Sequence, residues 1–446
     1  MSESFAVREA PAGYQVAQET QRVRPGYKQT EVGVIPEDWE QTTIGDVALK
    51  VGSGITPKGG SNTYKEYGRP FVRSQNVGWG RLILGDIAYI DDEIHSTFSA
   101  TELKENDVLL NITGASIGRS ALADQNLIGG NVNQHVCIIR SNSNHANPKF
   151  INYLLLSSLG QRQIDSFQAG GNREGLNFGQ IRSIKFPLPP TKAEQEAIAE
   201  ALSDADALIE ALKQLITKKR QLKQGAMQKL LTGKTRLQGF SGEWVETTLL
   251  ELALGKKELF DDGDWIESEH ITTEGVRLIQ TGNIGIGEYT ETYVKKYIYE
   301  SSFVSLRCKE IREGDLLICR LADPAGRACV LPNIGEPKVV TSVDVTIFRP
   351  PSTTANRVFL ANLFSSNQWF RAVSDRSGGT THKRISRGAL GRLKIKIPQL
   401  SEQTAIASIL SDMDTEITAL ETQLVKTREL KQGMMHNLLT GEIRLI

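Results

Sequence analysis

Two stretches decide how this chain is read: Glu194-Gln195-Glu196-Ala197-Ile198-Ala199-Glu200-Ala201-Leu202-Ser203-Asp204 and Glu402-Gln403-Thr404-Ala405-Ile406-Ala407-Ser408-Ile409-Leu410-Ser411-Asp412. The likeness continues through Leu222-Lys223-Gln224-Gly225 to Gly233, and through Leu430-Lys431-Gln432-Gly433 to Gly441. At a constant offset of 208, 25 of the 44 positions from 194 to 237 are identical to those from 402 to 445, which chance does not give without a gap. The chain is therefore an internal duplication, and the repeated part is its most informative part.

Within the first copy, apolar residues fall at Ile198, Leu202, Ala205, Ile209, Leu212 and Ile216. In the second they fall at Ile406, Leu410, Met413, Ile417, Leu420 and Leu424. Alternating steps of four and three make a heptad seam, so each copy is expected to be a long helix with one sticky edge. Pro190 and Pro398 precede the helices, Thr191 and Glu194 fit a capping box, and Gly233 and Gly441 suit C-terminal stops. A helix of this length spans roughly 60 Å at 1.5 Å per residue. The seam needs a partner, and the other copy is the nearest one. The domain between the copies lets them lie antiparallel, and an antiparallel coiled coil within the chain is the expectation; an isolated helix, or a homodimeric coiled coil through these seams, stays open.

Fainter correspondences precede the helices. Asp38-Trp39 with Thr42-Thr43-Ile44 resembles Glu243-Trp244 with Thr247-Thr248-Leu249. Ser74-Gln75-Asn76-Val77 resembles Thr281-Gly282-Asn283-Ile284, and Gly170-Gly171-Asn172 resembles Gly378-Gly379-Thr380. The expected organisation is a flexible N-terminal arm (1–34), a first globular domain (35–190), a first helix (191–240), a second globular domain (241–398) and a second helix (399–446). The globular domains read as mixed α/β. Short apolar runs at 108–112, 136–139, 316–319 and 343–348 alternate with Gly/Asn/Ser loops, and helical stretches cover 148–158 and 357–366.

Composition limits the functions open to such a frame. The chain has 446 residues, 52 basic and 52 acidic, so a generic basic coat for nucleic acid is excluded. A local basic face is not excluded. Cys137, Cys308, Cys319 and Cys329 lack metal-ligand spacing and are expected to be small buried hydrophobes. No metal site is expected. The N-terminus lacks the apolar core of a signal peptide, and no apolar run approaches the ~20 residues a membrane span needs. A cytoplasmic protein with no membrane partner is the expectation.

The loops hold the candidate readers. Gln, Asn, Arg and Lys pair with base edges, while Ser, Thr and backbone N–H suit phosphates. The first domain offers Thr56, Lys58, Arg73, Ser74, Gln75, Asn76, Asn172 and Arg173; the second offers Gln280, Thr281, Asn283, Thr380, Lys383 and Arg384. Residues 376–396 carry seven basic side chains and no acidic one, the best electrostatic sign of nucleic acid in the sequence. The acidic groups Asp91-Asp92-Glu93 and Asp261-Asp262-Asp264 read as solvated surface.

With these residues in hand, the scaffold from Pro187 to Leu237 and its second copy resembles the specificity subunits of type I restriction–modification enzymes. Val34-Ile35-Pro36-Glu37-Asp38-Trp39 and Gly52-Ser53-Gly54-Ile55-Thr56-Pro57 resemble the start of that family's target-recognition domains. The likeness runs over about residues 32–446. It implies two recognition domains, each reading one half of a split, asymmetric site on double-stranded DNA. It implies paired helices that set the spacer and dock two modification subunits, which methylate adenine with S-adenosylmethionine. Two restriction subunits using ATP and Mg join in some systems. None of that chemistry is expected on this chain. There is no N/D-P-P-Y/F motif, and Gly233-Lys234-Thr235 lacks the earlier glycine of a phosphate loop, since Gln228 stands there. Two other readings stay open from the residues: a self-contained DNA-modifying or cleaving enzyme, and a coiled-coil interaction scaffold.

Overall fold

The computed structural model describes residues 23–168, 175–321, 324–379 and 383–445. Two helices dominate it: Lys192–Leu230, of 39 residues, and Leu400–Leu439, of 40. The fold divides into two units. One contains residues 1–211 with 424–446, and the other contains residues 212–423. Each unit thus holds one globular domain together with a part of both helices.

In both units the helices run antiparallel, because partner numbers fall along one helix as they rise along the other. The first unit pairs Asp206 with Lys431 at 2.6 Å and Glu194 with Arg444. The second pairs Lys219 with Glu416, Lys223 with Asp414 and Arg236 with Glu402. Two of these pairs occur twice in the duplication, since Glu194, Asp206, Lys223 and Arg236 match Glu402, Asp414, Lys431 and Arg444. The apolar seam lies beneath them. Ile198, Leu202, Ile209, Leu212, Ile216, Ile406, Leu410 and Ile417 are buried; Ala205, Met413, Leu420 and Leu424 are half-buried. The pairs at Asp206, Asp414 and Glu416 are exposed and add little, and desolvation of buried Glu194 and Glu402 offsets much of the gain in theirs, so the seam provides the main stabilisation of the pairing.

The helix ends follow the sequence with one difference. Gly233 and Gly441 both take the left-handed backbone that a C-terminal stop needs, at φ 68° and 74°. Each is pressed on a tryptophan of its unit: a Cβ on Gly233 would lie 3.2 Å from the Trp244 ring, and one on Gly441 would lie 2.6 Å from Pro36 and 3.3 Å from Trp39. At the helix start, Thr191 Oγ1 accepts from Glu194 N at 3.2 Å. The expected reciprocal bond gives way to a stronger one, as the Glu194 carboxylate takes the Arg444 guanidinium.

The first globular domain holds an antiparallel sheet in the order Ala48–Ser53, Val136–Ser141, Val108–Asn111, Ser120–Leu122. Beside it lies a mixed sheet of Ala88–Ile90, Arg69–Val72 and Asn131–Val132, the last two parallel. The second domain repeats the plan. Its antiparallel sheet runs Phe260–Asp262, Val345–Phe348, Leu316–Cys319, Ala328–Val330, and a five-stranded mixed sheet pairs Val276–Ile279 in parallel with Val339–Thr341. The apolar runs of the sequence are the central strands, buried on both faces. All four cysteines are buried and unpaired.

The N-terminal arm differs from its expectation over residues 27–34. Tyr27–Thr30 and Gly33–Pro36 form an antiparallel hairpin. Its polar residues have distant partners: Tyr27 Oη donates to the Gly441 carbonyl at 2.9 Å, and Glu31 meets Lys185. Residues 1–22 of the expected arm lie outside the described residues.

Candidate nucleic-acid interface

The two domains present one equivalent turn. In the first, strand Arg69–Val72 leads into a single 3-10 turn, Ser74–Asn76. Asn76 is buried; its Oδ1 accepts from Arg73 N at 3.0 Å and its Nδ2 donates to the Ile83 carbonyl at 2.9 Å. In the second, Asn283 is buried, accepts from Gln280 N at 3.0 Å and donates to the Thr290 carbonyl at 3.0 Å. Both asparagines are spent on shaping the turn. As folded they offer no amide edge to a base, which corrects their reading as loop readers.

What the turns display differs. In the first domain Arg73 Nη2 binds Asp86 Oδ1 at 2.7 Å, and the Gln75 amide donates to the other oxygen of the same carboxylate. Arg73 and Gln75 are therefore joined through Asp86, with Ser74 half-buried between them. In the second domain the side chains of Gln280 and Thr281 have no hydrogen-bond partner among the described residues. They line a cleft of about 520 Å³ with Trp265, Lys296, Ser342 and Asp344. Arg277 forms its floor, 1% exposed, held by Glu291 at 2.6 Å and by the carbonyls of Leu278 and Lys296 at 2.8 Å. Burial works to raise the Glu291 pKa, but the charge and hydrogen bond of Arg277 outweigh it and hold the carboxyl below its usual value.

The Gly52–Pro57 loop of the first domain is fixed by Gly54, where a Cβ would overlap the Val132 carbonyl oxygen at 1.6 Å. Thr56 Oγ1 donates to Gln134 Oε1. Gln134 Nε2 in turn lies 3.2 Å from His135 Nε2, and His135 Nδ1 meets Thr113 Oγ1. Lys58 is exposed on the same loop. Gln134 and His135 were missed by sequence reasoning. Asn111 was missed as well, although a lone amide within the apolar run 108–112 is a legible signal. Its Nδ2 donates to the Ser74 carbonyl at 2.8 Å and anchors the turn.

Asn172, Arg173 and Thr380 lie outside the described residues. Arg384 is half-exposed and binds Asp344 at 2.8 Å; its backbone pairs in both directions with Gly378 at 2.9 Å. Lys383 is exposed, with its amine 3.4 Å from Ser374 Oγ. The basic run is less positive than it reads, since Arg384, Arg387 and Lys394 pair with Asp344, Asp261 and Glu246. Asp261-Asp262-Asp264 is accordingly not solvated surface. Its side chains are 15%, 19% and 10% exposed and face Arg387, Arg320 and Lys309. Arg320 is nearly fully buried, and that burial pulls its pKa down despite the neighbouring Asp262. Asp91-Asp92-Glu93 does stay at the surface, where Asp91 caps a short helix and Asp92 binds Arg69.

Among the described residues there is no cluster of His, Cys, Asp and Glu suited to a metal ion. No described helix is long and apolar enough to cross a membrane. The arrangement is a pair of rigid frames, each presenting polar side chains from a turn and neighbouring loops.

Comparison with known proteins agrees with this geometry. The family model of the type I restriction modification DNA specificity domain matches twice, over residues 36–220 and 248–429. A chain of Methanocaldococcus jannaschii assigned as the MjaX type I restriction enzyme specificity subunit is 26% identical over 437 residues, covering 94% of this chain and 97% of that one. The StySPI specificity subunit of Salmonella potsdam is 20% identical over 440 residues, 92% of this chain and 90% of its own. Among solved structures, a type I restriction–modification S subunit from M. genitalium has a TM-score of 0.55 at 16% identity, covering 90% of this chain and 96% of its own. The HsdS subunit of Thermoanaerobacter tengcongensis has a TM-score of 0.50 at 20% identity, covering 92% of this chain and 98% of its own.

Proposed function

The chain belongs to the type I restriction–modification specificity subunits, and from that premise we propose that its two domains read the two halves of one asymmetric, bipartite DNA site. It is a non-catalytic recognition subunit. One observation carries the reading: the frame of the turn is the same in both domains, while the side chains it displays are different. A shared Asn76 or Asn283 sets the loop. Arg73, Ser74 and Gln75 stand on one copy; Gln280 and Thr281 stand on the other. That is the arrangement expected of two readers with a common scaffold and separate specificities. Thr56, Lys58, Lys383 and Arg384, on other loops of the two domains, are further base or phosphate contacts in this reading, and Asn172, Arg173 and Thr380 complete the candidate set.

In this proposal the helix pair is the ruler between half-sites. Major-groove half-sites on one face of DNA lie about 34–36 Å apart per turn, and helices of 39 and 40 residues reach roughly 60 Å. The remaining helix surface docks two modification subunits, which bring S-adenosylmethionine and methylate adenine. Restriction subunits, where a system has them, bring ATP and Mg. The site of action is the cytoplasm, where the DNA is. The test is methyl transfer from labelled S-adenosylmethionine to genomic DNA. The purified chain alone transfers nothing; the chain with its modification subunit methylates a split site. Transfer by the chain alone overturns the reading.

A further inference from the structure

The two units also differ outside the reading turns, at the end of the helix that each globular domain packs on. In the first, the N-terminal hairpin lies across the junction of helix end, tryptophan and strand Lys185–Leu188. Tyr27 Oη donates to the Gly441 carbonyl, Glu31 binds Lys185, and Gln41 Oε1 accepts from Glu31 N at 2.9 Å and Val32 N at 3.3 Å. Every one of these partner positions has a counterpart in the second unit: Gly233 for Gly441, Lys394 for Lys185, Glu246 for Gln41. The strand pairs show the same register, with Pro187 opposite Gln41 and Lys396 opposite Glu246. Among the described residues the second unit has no counterpart of the Tyr27–Thr30 strand; the first long helix ends at Leu230 and turns and coil lead from it to Trp244. A cleft of about 430 Å³ remains, lined by Gly233, Arg236, Trp244, Trp369, Lys394 and Lys396.

One packing difference accompanies this cleft. Gln163 caps the main chain of Lys185 in the first unit, with both N–H···O bonds at 2.8 Å. Its counterpart is Ala372, a methyl group, and the Lys394 main chain has no such side-chain partner among the described residues. The buried indole N–H of Trp244, like that of Trp39 in the first unit, lacks an acceptor among the described residues. The cleft is positively charged at one end. Lys396, where the first unit has Pro187, is exposed and has no ion pair among the described residues.

We propose that this cleft of the second unit is a docking site for an extended peptide strand of another protein chain, bearing a tyrosine and, four residues later, a carboxylate. The first unit displays the chemistry of the fit with its own Tyr27 and Glu31. In the second, the tyrosine hydroxyl meets the Gly233 carbonyl, and the carboxylate meets Lys394 and Lys396. The incoming main chain meets the Glu246 carboxylate, as the Glu31 and Val32 N–H groups meet Gln41 Oε1 in the first unit. The inference is independent of the DNA-reading proposal, as it uses none of the reading turns.

The probe is a synthetic peptide with the sequence of residues 24–34, added up to millimolar concentration to the full chain labelled with nitrogen-15 at tryptophan. The account expects saturable binding that shifts the Trp244 indole resonance and leaves that of Trp39, whose site is filled, in place. Peptide with Phe for Tyr27 or Gln for Glu31, and protein with Lys394→Glu and Lys396→Glu, bind about tenfold more weakly, as loss of a charge-assisted hydrogen bond requires. Glu246→Gln, which releases Lys394 and installs the residue the first unit uses, binds more tightly. Absence of saturable binding, binding that these substitutions leave unchanged, or a shift at Trp39 instead of Trp244 overturns the proposal.

Discussion

The first and second units share a frame and differ in what fills it. The shared part is made of glycine, asparagine and paired charges: Gly233 and Gly441, Asn76 and Asn283, Arg236–Glu402 and Arg444–Glu194. The different part is polar and faces the loops. In the first domain an amide and imidazole chain joins Thr56, Gln134, His135 and Thr113. The second domain instead buries two arginines, Arg277 and Arg320, at positions where the first has Pro70 and Ile112. The difference teaches that backbone geometry and displayed chemistry are separable here. The turn is held from within, so its outward residues vary without cost to the fold.

The comparison is sharpened most by the two helix-stop glycines. Gly441→Ala and Gly233→Ala each place a side chain in left-handed backbone, which costs roughly 1–2 kcal/mol. Gly441 is the more tightly packed of the two: Pro36 lies 2.6 Å from its Cβ position, whereas the nearest atom at Gly233 is the Trp244 ring at 3.2 Å. Overpacking of that kind adds about 1–3 kcal/mol. Chemical denaturation is expected to show the larger loss for Gly441→Ala. Equal losses would mean that the two helix ends are not packed as described.

A smaller effect separates frame from display within one turn. Asn283→Ala leaves Gln280 N and the Thr290 carbonyl without their partner, at roughly 1–3 kcal/mol of stability. Gln280→Ala, three residues away, removes an unpartnered side chain and is expected to change stability by less than about 0.5 kcal/mol. It should instead cost about 1–3 kcal/mol in binding at one base position of one half-site. Thermal unfolding and competition binding with single-base variants of the DNA measure the two sides. A stability loss for Gln280→Ala as large as that for Asn283→Ala would contradict the division.

The smallest effect is electrostatic and belongs to the first unit. The hydrogen bonds of Arg444 hold the Asp38 carboxyl below its ordinary pKa. A depressed carboxylate stabilises the fold fully above its unfolded pKa, and that contribution is lost as pH falls through the folded value, here below about pH 4. The pair is half-exposed and screened, so the step is small. Glu243, the counterpart of Asp38, has no ion pair among the described residues. Hydrogen exchange resolved by unit should therefore show an acid-linked loosening near Arg444 that Asp38→Asn reduces.

Much of this architecture was legible in the sequence because it rests on spacing. The heptad seam needs only apolar residues at fixed intervals, and the duplication makes each copy a check on the other. Central strands such as Leu316–Cys319 were legible as apolar runs. The site was less legible. A sequence does not say which way a turn side chain points, so Asn76 and Asn283 read as surface amides when they face inward. The basic run read as uncompensated because its acids lie far along the chain; Asp261 is 126 residues from Arg387, and Glu246 is 148 from Lys394. The hairpin at Tyr27 read as a loose polar arm for the same reason, since its anchor Gly441 is 414 residues away.

The central claim is that each domain reads its half-site alone, on a frame common to both. It is tested most directly by replacing residues 241–398 with the matching domain of a relative of different specificity, reconstituting the complex with its modification subunit and sequencing the methylated adenines. The account predicts one half-site exchanged, the other half-site unchanged and the spacer between them preserved. Loss or change of both half-sites would contradict it.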